Sequence, residues 1–113
     1  MDRTTTAERR AADALVGALE QMLAELAALH GDGDVGWVRP LAVLSAEIEY
    51  SALRSSGGHS TGLADVCREL IDMLAFPPTA GGEFASRYVV AHRTSPAIAG
   101  LHDRILAACR TIT

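Results

Sequence analysis

Lysine and asparagine are both missing from this chain of 113 residues, and all ten of its basic residues are arginine. Without lysine there is no Schiff-base chemistry, no lysine general base and no phosphate-binding lysine of the P-loop kind. Without asparagine a Cys-His-Asn protease constellation is impossible. Aromatic residues are scarce, five in all, and cysteine occurs twice, at Cys67 and Cys109. Two distant cysteines with no secretory segment before them make no disulfide framework. The longest apolar runs are broken by charge well short of the length that crosses a bilayer, and Met1-Asp-Arg-Thr-Thr-Thr6 lacks the hydrophobic stretch of a signal peptide. The expectation is a cytoplasmic protein that neither spans nor enters a membrane.

Alanine is the commonest residue, with 20 copies. Lys and Asn use A-rich codons, so their joint loss beside abundant Ala, Arg and Gly reads as the composition of a GC-rich bacterial genome. Fourteen acidic residues against ten basic ones give a formal net charge of -4. The length suits one domain, residues 1–113.

Helical periodicity dominates the rest. Leu15, Leu19, Met22, Leu26 and Leu29 recur at spacings of 4, 3, 4 and 3, the seam of a helix packed lengthwise on others, and predict a helix over 6–30. Thr5 with Glu8 fits a capping box at its start and His30-Gly31 a stop at its end. Gly31-Asp-Gly-Asp-Val-Gly36 is a turn. Asp32 and Asp34 could open a calcium loop, but the twelfth position is Val43 and not a bidentate Glu.

A second helix is expected from Pro40 to Ser55. Leu41, Leu44, Ile48 and Ala52 form one stripe, while Val43 and Tyr50 lie on roughly the opposite side, which suits a helix central to the bundle or sandwiched at a subunit interface. A third, over 61–76, carries Leu63, Val66, Cys67, Leu70, Ile71 and Leu74 on one face, with Pro77-Pro78 ending it. Residues 83–93 read as a short helix, although Tyr88-Val-Val90 also suits a strand. Ser95 and Pro96 open a last helix lined by Ile98, Leu101, Ile105, Cys109 and Ile112. The fold class is all-α, an antiparallel bundle of four main helices and one short one.

Three groups of residues carry candidate chemistry. His102 projects on the apolar face of the last helix with Cys109 two turns on, and Cys67 sits mid-stripe on the third helix. Convergence of the three would suit zinc or a small-molecule site, but no CxxC or HxxxH spacing pre-arranges ligands, and a buried Cys is commonly a small hydrophobe. No cofactor is therefore expected. Arg87-Tyr-Val-Val-Ala-His92 has an Arg, four residues and a His just before the last helix of a small bundle, and in this it resembles the motif of the HEPN ribonucleases. The resemblance covers six residues and the general architecture. It implies that Arg87 stabilises charge on a scissile phosphate at a dimer interface and that His92 is the acid or base. That family usually has a polar residue, frequently Asn, after the Arg, where Tyr88 stands here. On a straight helix, moreover, positions five apart diverge by about 140°, so a shared site needs a kink or an unwound end.

Carboxylates and loops offer less. Glu47 and Glu49, two apart on a helix, diverge too far to share a metal. The Gly-rich loop around His59 leads into a helix but matches neither phosphate-binding fingerprint. Arginines spread along an acidic chain form no basic patch, so nucleic-acid binding is disfavoured. The reading is a self-associating, non-catalytic interaction or regulatory module, a homodimer with Val43 and Tyr50 at the interface and room for a protein partner. Its alternatives are a metal-independent ribonuclease using Arg87 and His92, and a ligand or metal binder around His102, Cys109 and Cys67.

Overall fold

The run of leucines that opens the chain becomes one helix of 28 residues, α1, Arg3–His30. At about 1.5 Å per residue it is roughly 42 Å long, and it accounts for most of the 47 Å longest dimension of the molecule. The computed structural model describes residues 3–30, 36–55, 61–75 and 82–113. Four further helices follow: α2, Arg39–Ser55, entered through a single 3₁₀ turn at Gly36–Val38; α3, Thr61–Met73; α4, Glu83–Thr94; and α5, Pro96–Ile112. Among the described residues there is no strand, and no helix is long and apolar enough to cross a membrane.

Leu15, Leu19, Met22 and Leu26 are fully buried along α1, as their spacing requires. Leu29 departs from the seam and stands half exposed. A straight helix drifts about 20° per heptad from a strict seven-residue repeat, so two heptads after Leu15 the stripe has rotated off the core. Helix α1 also begins earlier than residue 6, which leaves Thr5 inside the helix and not at its cap. No residue at 3–5 opposes the helix, so it runs on past the first polar stop signal.

The 83–93 segment is helix and not strand. Its inward residues explain why. Phe84, Tyr88 and Ala91 pack inward at spacings of 4 and 3 while Val90 faces solvent, the opposite of the alternation a strand needs. Gly82 precedes α4 at φ 119°, a backbone region open to glycine, and its carbonyl accepts from both the Ser86 N–H and the Ser86 hydroxyl. At α5 the Ser95 hydroxyl accepts the Ile98 N–H at 3.3 Å and Pro96 takes the first turn, where a missing donor costs nothing. Helix α3 ends at Met73, a little before the expected 76.

The helices form a bundle around one core. Helix α1 packs most extensively on α5 and also on α2; α3 bridges α2 and α5; α4 lies on α5 and on the 3₁₀ turn. Helix α5 therefore has neighbours on three sides, and it occupies the central position that the two-faced pattern suggested for α2. The Leu41, Leu44 and Ile48 stripe of α2 is buried, and Val43 and Tyr50 are exposed on its outer side. The Asp32 and Asp34 turn, the stop at Gly31, the His59 loop and Pro77-Pro78 lie outside the described residues.

Gly17 in α1 and Gly100 in α5 have nothing within 4 Å of where a Cβ would stand. A glycine inside a helix costs about 0.5–1 kcal/mol relative to alanine. Gly17→Ala and Gly100→Ala should each raise unfolding free energy by that amount in urea titration. A loss of stability would mean that these helix faces are closely covered.

Candidate functional site

His102 lies four residues after Ile98 on α5, so it shares the buried face of that helix, and 5% of its surface remains exposed. A buried imidazole needs a hydrogen-bond partner. Helix α4, lying across α5, supplies one: Tyr88 Oη and His102 Nδ1 share a hydrogen bond of 2.7 Å, with Tyr88 1% exposed. One turn further along α4, the His92 ring meets the His102 ring edge-on, with centroids 4.7 Å apart at 78°. In the other direction the Tyr88 ring stacks on Phe84 at 5.3 Å, and Phe84 lies 5.8 Å from Trp37 in the 3₁₀ turn. The column Trp37-Phe84-Tyr88-His102-His92 thus gathers three of the five aromatic residues of the chain. Such contacts add to area burial by about 0.5–1.5 kcal/mol per aromatic pair.

Burial sets the charge state of this column. It pushes the Tyr88 phenol far above its ordinary range, and the negative charge of Asp103 acts in the same direction. It also holds the His102 imidazole below its usual value; His92 and Arg110 add to that lowering and Asp103 opposes it. Both members of the pair are therefore neutral at pH 7, which suits a hydrogen bond that fixes α4 on α5. Surface hollows on α1, α4 and α5 are lined by other residues, such as Leu29, Ser86, Arg87, Val90, Ala91 and Thr94 around about 510 Å³ between α1 and α4. Neither Tyr88, His92 nor His102 lines these hollows.

Arg87 and His92 take different surroundings. Arg87 is on the outer side of α4, 3.0 Å from Glu83, with its guanidinium carbon 6.0 Å from the centre of the Trp37 ring. His92 is turned toward Tyr88 and His102. Helix α4 is uninterrupted across both positions, so the divergence of five-residue spacing stands unrelieved. Tyr88, in the place where the ribonuclease motif has a polar residue, is core.

Cys67 on α3 and Cys109 on α5 are fully buried on helices that pack on each other, and each thiol shifts the proton affinity of the other. Cys109 lowers the Cys67 thiol from its ordinary range against the opposing effect of burial. Cys67, followed by burial, raises Cys109. His102 belongs to Tyr88 instead. Among the described residues no group of three or more His, Cys, Asp or Glu side chains is placed to hold a metal. Glu47 and Glu49 are both exposed on α2.

No protein-family model, curated protein or solved structure matches the chain.

Trp37 and Phe84 are the members of the column that sequence reasoning passes over. Trp37 sits in a stretch too short to show a period, and the Phe84 to Tyr88 spacing of four residues was the available signal. Replacing Tyr88 by Phe leaves the buried Nδ1 of His102 without its partner, and should cost about 1–3 kcal/mol in urea or thermal unfolding.

The pH dependence follows from His102. Its folded value lies below the ordinary 6.5, so the folded state binds the proton less readily than the unfolded chain does. The stability it contributes is present above the unfolded value and is lost as pH falls through the folded one. The unfolding midpoint should therefore decline between about pH 7 and pH 5. His102→Gln should flatten that decline, and an unchanged slope would remove His102 as its source.

Proposed function

We propose that the protein is a non-catalytic interaction module that pairs with a second copy of itself through the outer face of α2. The observation that carries this reading is the exposure of Val43 at 49% and Tyr50 at 62%. They are seven residues apart, hence on one side of the helix, with the exposed Ala46 and Glu47 between them. The inner stripe of α2 already satisfies the core. Large side chains at i and i+7 on an exposed helix face are the knobs that a facing helix receives. An antiparallel copy related by a two-fold axis near Ala46 and Glu47 would set each Val43 against the partner's Tyr50, an isologous contact that closes on itself.

Support also comes from where the polar chemistry lies. Tyr88, His102, Cys67 and Cys109 are buried and do not line the hollows described above, which suits groups that hold helices together.

Sedimentation equilibrium at roughly 50 µM should give a dimer, since association depends on protomer concentration. Val43→Glu with Tyr50→Glu should return the monomer with helical circular dichroism unchanged, and Tyr50→Ala alone should weaken association about tenfold or more, as loss of a central aromatic anchor does. A strict monomer at that concentration would remove the reading.

A further inference from the structure

We propose that the hollow between α1 and α4 is a binding site for a small amphipathic monocarboxylate, whose apolar chain lies against Leu29, Val90 and Ala91 and whose carboxylate meets Arg87. Helix α4 packs on α5 and on the 3₁₀ turn and makes no comparable contact with α1. The space left between α1 and α4 is about 510 Å³, within the range of about 300–1,000 Å³ that small-molecule pockets occupy. Four large hydrophobic side chains are exposed among the described residues. Val43 and Tyr50 belong to α2. The other two, Leu29 at 48% and Val90 at 57%, come from different helices and line this one hollow. Apolar surface left in water on two facing helices is covered at a gain by an apolar guest that fits between them.

The polar groups of the lining select the head group. The Ser86 hydroxyl donates to the Gly82 carbonyl at 3.0 Å and the Thr94 hydroxyl to the Val90 carbonyl at 2.9 Å, so both hydrogens are committed to the backbone. Arg87 is the one charged side chain among the described lining residues. Its guanidinium lies 3.0 Å from Glu83 in an exposed pair. Such a pair is held weakly, and a guanidinium has five N–H donors, so this contact leaves donors for a second carboxylate. Glu83 also limits the charge of the guest: a guanidinium beside a carboxylate attracts a monoanion better than a phosphate dianion. A cationic head group would meet Arg87 as a like charge.

Octanoate, octanol and octylammonium, each titrated to about 5 mM into the full chain labelled with ¹⁵N, test the proposal. Octanoate should shift the backbone amides of Leu29, Arg87, Val90 and Thr94 saturably, with a Kd below about 1 mM. Octanol should bind about tenfold more weakly and octylammonium should not saturate. Arg87→Gln should weaken octanoate about tenfold, the loss of a charge-assisted contact, and Val90→Ser about threefold, both with helical circular dichroism unchanged. No saturable shift with octanoate, shifts centred on other helices, octylammonium binding as well as octanoate, or full affinity in Arg87→Gln would overturn the proposal. Shifts at these amides that follow protein concentration without octanoate would assign the hollow to a second copy of the chain and overturn it equally.

Discussion

Of the twelve residues of α4, Tyr88 and Ala91 are buried. One large side chain and one methyl group are little apolar area with which to hold a helix, since about 25 cal/mol per Å² is gained on burial and each ordered backbone residue costs about 1–2 kcal/mol in entropy. The placement of α4 therefore depends on what Tyr88 does at its tip. Its hydrogen bond to His102 fixes the rotation and the height of α4 on α5 together, because both partners are buried and neither has water as a substitute. From that contact the column continues through Phe84 to Trp37, and so it also sets the 3₁₀ turn from which α2 departs.

Helix α5 makes this dependence general. It meets α1, α3 and α4, and its buried residues, Ile98, Leu101, His102, Ile105, Ala108, Cys109 and Ile112, cover too wide an arc for any polar group among them to reach water. Burying such a group unpaired costs on the order of 1–3 kcal/mol. The imidazole on that arc consequently has its partner on a different helix, Tyr88 on α4, and Cys109 faces the neighbouring α3 as a small buried side chain. The hydrogen-bonded pair specifies which neighbour lies where, a task for which interchangeable leucines and alanines are poorly suited.

This explains which parts of the structure the sequence disclosed. Period and punctuation were enough for the helices: Ser95-Pro96 marks the start of α5, and the α4 strand alternative fails on Phe84, Tyr88 and Ala91. Period tells which face of a helix turns inward but not which helix that face meets. The grouping of His102 with Cys67 and Cys109 supposed that α3 and α5 are neighbours, as they are, but His102 is hydrogen-bonded to Tyr88, whose phenol was read with the ribonuclease-like motif and not with the core. Leu29 was lost to the drift of a long straight helix, and Trp37 to the absence of any period around it. The two-sided pattern of α2 was read correctly as a pattern. The central place belongs to α5 because part of its buried arc is small, as at Ala108, and small residues permit close approach while contributing weakly to a hydropathy stripe.

The missing lysine bears on what remains outside. With arginine in place of lysine throughout, the ion pairs of Arg68 with Asp65 and of Arg87 with Glu83 are short local links along single helices at exposed positions, where such pairs contribute little because water screens them. Neither joins one helix to another. The neutral Tyr88 and His102 pair does join two helices, and it is centred on α5. The exposed Val43 and Tyr50 lie on the far side of α2, which touches α3 but makes its main contacts away from α4. The column that ends at His92 begins at Trp37, in the 3₁₀ turn that leads into α2, so the packing around His102 and the departure of α2 belong to one continuous run of contacts.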